Sequence, residues 1–153
     1  MTRLMDRFNR MLGIWRGPAV FDSGLEGIAE FRFTPYFEGA LIEVSGQSFD
    51  LRTGASQTWG VGLLALDTAG HVVWRQVNSR VGFSTMHEVE RDDDVLVMRA
   101  ELAGGRSMLI TLSMEGNELQ VVNSWLSPDP SVPGPRTAIR LRRAGMALPE
   151  PQP

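Results

Sequence analysis

The sequence contains no cysteine and no lysine, and it has no apolar run long enough to cross a bilayer. Without cysteine there are no disulfides, no thiolate nucleophiles and no cysteine-ligated zinc or iron–sulfur sites. Without lysine there is no Schiff-base chemistry. A membrane-spanning helix needs about 20 consecutive apolar residues, so we predict no membrane span.

The charge of the chain is also low. Fifteen arginines against eighteen acidic residues leave a formal net charge of −3 at pH 7, and this balance lacks the basic surface that a nucleic-acid backbone attracts. We therefore predict no nucleic-acid partner. The first twelve residues mix Arg3, Asp6, Arg7 and Arg10 into their apolar positions, unlike a secretory signal, and this predicts a cytoplasmic protein.

The length and composition are those of one folded domain. A chain of 153 residues with 42% hydrophobic and 22% charged residues can bury one sizeable core. We predict a single domain over residues 1–145. The segment 146–153 contains three prolines, and we interpret it as a C-terminal tail.

One short helix and ten strands are predicted along the chain. Apolar residues at helical spacing from Thr2 to Leu12, with arginines on the opposite face, indicate an amphipathic helix. After Gly13, short segments rich in β-branched and aromatic residues alternate with turn residues every 8 to 12 positions. The predicted strands are Ile14–Asp22, Ile28–Tyr36, Ala40–Phe49, Gln57–Leu66, His71–Ser79, Val81–Glu90, Val95–Leu102, Ser107–Met114, Leu119–Leu126 and Thr137–Arg143.

The turns predict the order of these strands. Asp67 to Gly70, Asp92 to Asp94, Gly104-Gly105 and Gly116-Asn117 favour tight hairpins between consecutive strands, which is a meander. Only the connection at residues 127–135, which carries four prolines, is long. Closure of a meander removes both exposed sheet edges, so we predict an all-β, closed antiparallel up-and-down barrel rather than a sandwich. Spacing alone leaves the sandwich open.

The motif Gly13-Ile14-Trp15-Arg16-Gly17 after the helix resembles the Gly-x-Trp opening of the calycins, the lipocalin and fatty-acid-binding-protein group of barrels. The stretch 60–67 followed by Trp74 resembles uncharacterised bacterial lipocalin-like proteins. This resemblance implies that Trp15, after Gly13, plugs one barrel end beneath an arginine of the last strand. Arg140 and Arg142 are both candidates for that arginine.

The opening also resembles that of nitrobindin-like haem barrels, in which a histidine near the final strand ligates the iron. The predicted last strand, Thr137–Arg143, contains no histidine. The haem site of that family is therefore not carried over to this chain, and we predict no cofactor.

Alternation along three strands places bulky apolar groups beside uncharged polar ones, which a dry core avoids unless each polar atom has a partner. A partly wet ligand cavity is a natural place for such a mixture. The predicted ligand-binding residues are Trp74, Gln76, Asn78, Phe83, Thr85, His87, Asn123 and Trp125. The alternative is that these residues belong to an ordinary core whose polar groups are satisfied by neighbours. Met108, Ile110, Leu112 and Met114 have the pattern of plain core.

The main functional prediction is binding or sequestration of a small apolar or amphipathic ligand inside the barrel. The first alternative is an isomerase, cyclase or dehydratase that uses His87 as acid or base and Arg32 or Arg75 to hold an anion. The second is haem binding through His87. No catalytic residue and no metal ligand is assigned, because Asp92-Asp93-Asp94 lacks the spacing of a calcium loop. A homodimer is left open.

Overall fold

In a computed structural model, described over residues 3–20, 24–92, 94–132 and 134–145, the chain forms a closed ten-stranded antiparallel barrel. A short helix precedes the strands and two 3₁₀ turns interrupt them. The elements are α1 (Leu4–Phe8), β1 (Gly13–Val20), β2 (Glu26–Tyr36), β3 (Leu41–Asp50), β4 (Ser56–Leu66), β5 (Val72–Asn78), β6 (Gly82–Arg91), β7 (Val95–Glu101), β8 (Ser107–Glu115), β9 (Glu118–Leu126) and β10 (Arg136–Gly145), with 3₁₀ turns at Phe37–Gly39 and Ala103–Gly105.

The predicted fold class is confirmed. Each strand pairs with its neighbour in sequence, and β1 closes the barrel by pairing with β10. Among the described strands, closure therefore leaves no edge strand, and exposed edge strands are the liability of an open meander. The predicted tail at residues 146–153 lies outside the described residues.

Tight turns hold the meander in register. In the β4–β5 connection, the Asp67 carboxylate accepts hydrogen bonds from the backbone N–H groups of Ala69 and His71, both at 2.9 Å. These bonds lower the pKa of Asp67 below its ordinary value. In this turn Asp67 therefore acts as predicted, because its side chain accepts hydrogen bonds from the backbone of the turn.

The helix is shorter than predicted and packs against one end of the barrel. Leu4 and Phe8 are buried, and the chain turns after Phe8, whose carbonyl accepts the N–H of Met11 at 2.8 Å. Thr2, at the predicted start, lies outside the described residues. No helix in the described ranges combines the length and the apolarity that a bilayer crossing demands.

Trp15 belongs to this same end, which we call the closed end: α1, Trp15 and Arg143. Trp15 is 1% exposed, and its indole N–H donates to the Met11 carbonyl at 2.8 Å. The guanidinium of Arg143 lies 4.4 Å from the centre of the indole ring. Arg143 also donates to the carbonyls of Leu12 and Arg10, so one cation joins the chain before β1 to the last strand.

The prediction that Arg140 or Arg142 covers Trp15 is therefore corrected to Arg143. Leu141 is fully buried, so the odd-numbered residues of β10 point inward and the even-numbered ones outward. Arg140 and Arg142 accordingly lie on the outer surface, where both approach the carboxylate of Glu118.

Glycine is required on either side of Trp15 in the motif for two different structural reasons. Gly13 adopts a φ of 113°, which residues with a side chain rarely adopt. A Cβ on Gly17 would collide with the carbonyl oxygen of Arg140 on the neighbouring strand β10. The motif therefore allows β1 to enter the barrel and to pair closely with its last strand.

Candidate ligand cavity

A cavity of about 170 Å³ lies inside the other half of the barrel and reaches the end opposite α1. Its wall is formed mainly by the inward side chains of β1–β5 and β8–β10, and the β5–β6 turn with Arg80 lies at its mouth. This volume is comparable to that of an apolar cavity of about 150 Å³ that admits benzene in another protein. The barrel is therefore filled at one end and hollow toward the other.

Five of the eight residues predicted to bind ligand line this cavity. Trp74, Gln76 and Asn78 project inward from β5, and Asn123 and Trp125 project inward from β9. These two strands lie four positions apart in the order of the barrel, so the residues form two separate walls. Alternation along each strand was sufficient to place them on one face.

The other three predicted residues, Phe83, Thr85 and His87, lie on the outer surface. The pairing of β5 with β6 places Asn78 opposite Gly82 and Trp74 opposite Met86, so the even-numbered residues of β6 point inward. Met86 is fully buried, whereas Phe83 is 89% exposed. A shift of one residue at the hairpin reverses the face of every side chain on a strand, and here the row facing inward is Ser84, Met86 and Glu88.

This arrangement also removes the residues assigned to the enzymatic alternative. His87, Arg75 and Arg32 all occupy outward positions that are exposed, and the Arg32 guanidinium pairs with Glu30 at 2.6 Å. None of the three reaches the cavity. His71 lies in the β4–β5 turn, 3.7 Å from the Asp67 carboxylate.

The donors around the cavity do not fit a haem. Both histidines of the chain lie outside it, and a space comparable to one that admits benzene is far too small for a porphyrin. Within the described residues there is also no cluster of three histidine or acidic side chains that could hold a metal ion.

Sequence reasoning missed several lining residues. Phe31 lines the cavity from β2, and Trp59 and Arg80 lie at the mouth, where Trp59 remains 49% exposed. The alternation of Ala29, Phe31 and Phe33 on β2 is a signal that could have identified Phe31. Arg80 belongs to a turn, and no strand periodicity could have placed it.

A glycine-rich wall gives the aromatic side chains their room. Gly46, Gly60 and Gly62 occupy inward positions on β3 and β4. A Cβ on Gly62 would lie 2.7 Å from the indole nitrogen of Trp74 and would also collide with the carbonyl oxygen of Arg75. The missing side chain therefore creates the space in which the Trp74 ring lies.

The hydrogen-bonding groups of the cavity fall into two sets. Some are satisfied by protein. The hydroxyls of Ser48 and Thr58 bond each other, and the side-chain oxygen Oδ1 of Asn78 accepts the backbone N–H groups of Arg80 and Val81, both at 2.9 Å. Among the described residues, the side-chain amide of Gln76 bonds only to the thioether sulfur of Met86, to which it donates at 3.2 Å, and a thioether is a weak acceptor.

The second set has no protein partner. The buried indole N–H of Trp74 makes no hydrogen bond in the part of the chain that the structure covers. Neither does the buried hydroxyl of Ser84, which points inward from β6 beside the cavity without lining it. The same holds for the side-chain amide of Asn123, which lines the cavity and is only partly buried. Asn123 therefore offers an accessible donor and an accessible acceptor to anything that enters.

Met108 and Ile110 of β8 line the cavity, while Leu112 and Met114 of the same face are buried farther from the mouth. All four side chains are buried, as the predicted core pattern requires. Met108 and Ile110 are therefore both core residues and cavity wall. The inner surface of a barrel is core where side chains fill the interior and cavity wall where they do not.

No protein-family model matches this chain, and no curated protein matches it by sequence. Its fold is nevertheless shared with solved structures. Rv2717c from M. tuberculosis superposes with a TM-score of 0.64 at 16% sequence identity, covering 94% of this chain and 98% of that one. EF1p2_mFAP2b, determined bound to DFHBI, gives a TM-score of 0.45 at 10% identity over 92% of this chain and 98% of that one. The likeness to Rv2717c, at this identity, establishes the fold alone.

Proposed function

We propose that this chain is a single-domain binding protein that takes a small apolar or amphipathic molecule into the barrel cavity. The observation that carries the proposal is the cavity itself, with its three aromatic walls Phe31, Trp74 and Trp125 and its accessible carboxamide at Asn123. Natural ligand pockets combine apolar and aromatic walls with a few polar groups that orient the ligand in this way.

The chemistry of the wall supports a neutral buried group on the ligand. Arg80, at the mouth, is the single charged residue among the described residues that line the cavity. A charge buried in this interior without a partner would cost several kcal/mol. We therefore propose that an uncharged ring or short chain enters, and that a carbonyl, hydroxyl or amide group of the ligand meets Asn123.

Features of the sequence also support a family relation, a class of ligand and a cellular compartment for this protein. The opening motif and the helix-first barrel support a relation to the calycins. The net charge of −3 supports a small-molecule ligand rather than a nucleic acid, and the charged residues among the first twelve support a cytoplasmic protein. The partners we propose are the small molecule inside the barrel and a second copy of the chain outside it.

Naphthalene is a suitable probe, because it is neutral and somewhat larger than benzene. Burial of its ten carbon atoms should give a dissociation constant on the order of 100 µM. Binding is measured by calorimetry and by the indole N–H signals of the four tryptophans in a ¹H–¹⁵N spectrum. The signals of Trp59, Trp74 and Trp125 should shift, while that of Trp15, at the closed end, should not.

A matched pair of variants on β10 tests the location. Thr137 faces the cavity and is partly buried, whereas its neighbour Ala138 faces outward and is exposed. Thr137→Trp should fill the cavity and weaken binding at least tenfold, and Ala138→Trp, which adds the same side chain to the outer face, should leave binding unchanged. Phe83→Arg should also leave it unchanged. If naphthalene and similar neutral aromatic molecules fail to bind, or if Thr137→Trp binds as well as wild type, the proposal is wrong.

A further inference from the structure

The outer face of β4 to β6 carries an exposed apolar surface that the cavity does not explain. Leu63 and Val61 on β4 are 45% and 40% exposed, and Phe83 on β6 is 89% exposed. Most outward positions of a solvated barrel are polar. Val77 on β5 lies between Val61 and Phe83, so these apolar side chains form a contiguous patch across β4, β5 and β6.

The strand register arranges this patch in two rows that cross the sheet. In the first row, Val61 lies opposite Val77, and Val77 lies opposite Phe83. In the second row, Leu63 lies between Glu43 on β3 and Arg75 on β5. The first row is therefore apolar across β4 to β6. In the second row, Leu63 separates the opposite charges of Glu43 and Arg75.

These two charges do not pair with each other. Neighbouring strands lie about 4.8 Å apart, so Glu43 and Arg75, on the strands to either side of β4, are about 10 Å apart at the backbone. Within the described ranges, neither side chain takes part in an ion pair or hydrogen bond. Glu43 and Arg75 therefore each carry a charge that has no partner among the described residues and lies beside the exposed Leu63.

We propose that this surface binds a second copy of the same chain. A two-fold axis that lies in the interface along β4 would bring Leu63 of one copy onto Leu63 of the other. The same axis exchanges the β3 and β5 sides, so Glu43 of each copy would face Arg75 of the other. A two-fold interface requires a surface that is complementary to itself, and an acid and a base on opposite sides of an apolar centre satisfy this requirement.

The remaining residues of the patch agree with this arrangement. Along the first row, Arg32 on β2 lies as far from β4 on one side as Phe83 lies on the other. The axis would therefore place Phe83 of one copy opposite Arg32 of the other, where a guanidinium can cover an aromatic face. Two sheets that face each other in this way have nearly aligned strands, which is a common geometry of sheet packing.

The test measures the mass of the full chain by sedimentation equilibrium from about 1 to 200 µM. Wild type should form a dimer that dissociates on dilution. Leu63→Arg should weaken it at least 100-fold, because two like charges would then meet at the axis. Val89→Arg is the matched control: Val89 is 49% exposed on β6 but outside both rows, and its change should leave the dimer constant unaltered.

Charge reversal at Glu43 and Arg75 tests the proposed contact more specifically than Leu63→Arg does. Glu43→Arg and Arg75→Glu should each weaken the dimer at least tenfold, whereas the double variant should recover most of the loss, because the opposite charges again face each other. All of these positions are on the surface, so the variants should retain the wild-type circular dichroism. A wild-type chain that stays monomeric at 200 µM would overturn the proposal and leave the face to a different partner. A dimer that Leu63→Arg does not weaken, or a double variant no stronger than either single one, would also overturn it.

Discussion

The two ends of the barrel interior each contain an inward tryptophan beside polar groups, but among the described residues the indole N–H has a hydrogen-bond partner at only one end. At the closed end, Trp15 donates to the Met11 carbonyl, Arg143 covers its ring, and the carboxylate of Glu88 accepts bonds from Arg7 and from the Val72 N–H at 2.8 Å. Toward the open end, the Trp74 N–H and the Asn123 amide bond to no described residue.

This difference distinguishes the closed end, which the chain itself fills, from the open end, which contains the cavity. A buried polar group without a partner costs roughly 1–3 kcal/mol. The closed end avoids this cost with protein partners, while the open end would gain stability from any ligand or water that supplied the missing bonds. The same kinds of residue therefore have opposite roles, and what distinguishes them is whether a neighbouring strand or helix brings a partner.

The largest expected effect is at the closed end. Trp15→Ala should lower the free energy of unfolding by about 3–5 kcal/mol, as large-to-small core substitutions of tryptophan do, because it leaves a cavity beneath Arg143. Urea unfolding measures the change. Trp59→Ala, at the exposed mouth, is the control and should cost less than about 1 kcal/mol. A similar loss in both variants would remove the distinction between the two ends.

A smaller effect is expected on the glycine-rich wall. Gly62→Ala should cost about 1–3 kcal/mol, because its methyl group collides with the Arg75 carbonyl and with the Trp74 indole. Gly60→Ala, whose Cβ would lie 3.1 Å from the Cβ of Asn78, should cost less. Unfolding free energies of the two variants give the comparison, and equal losses would show that Gly62 has no special role in housing Trp74.

A paired substitution compares the two tryptophans directly. Trp15→Phe breaks the hydrogen bond to Met11, whereas Trp74→Phe removes an N–H that has no protein partner. We therefore expect Trp15→Phe to be more destabilising than Trp74→Phe by about 1 kcal/mol or more. Equal losses would contradict the view that hydrogen bonding is what differs between the ends.

The smallest effect concerns the outer wall that joins the two ends. Burial raises the pKa of Glu30, but hydrogen bonds from Arg16 and Arg32, together with their positive charges, outweigh it and hold the pKa below its ordinary value. A carboxyl whose pKa is lower in the folded state stabilises the fold above its unfolded pKa of about 4.3, and this contribution is lost as the pH falls through the folded value.

Glu30→Gln should therefore cost at most about 1 kcal/mol at pH 7, and the difference from wild type should disappear as the pH falls through the lowered pKa of Glu30. Thermal unfolding over this pH range measures it, with the exposed Glu26→Gln as control. A difference that persists unchanged at pH 2 would contradict an origin in the charge of Glu30.

Much of the fold could be predicted, because alternation and turn chemistry are local properties of the chain. All ten predicted strands are present, with most ends within two residues of the observed bounds. The inward faces of β5 and β9 were also accessible, because Trp74, Gln76, Asn78, Asn123 and Trp125 follow directly from the period of two.

The sequence by itself determined the number and order of the strands, since each depends on residues within about ten positions. Only the tertiary structure decided which β6 face lines the cavity, which arginine covers Trp15, and whether the barrel closes. The register Asn78 opposite Gly82 set the β6 face, and the pairing of Trp15 with Arg143 joins strands nearly 130 residues apart. A one-residue shift in either pairing reverses a whole face at no cost to the local pattern, so local pattern alone does not choose between the two.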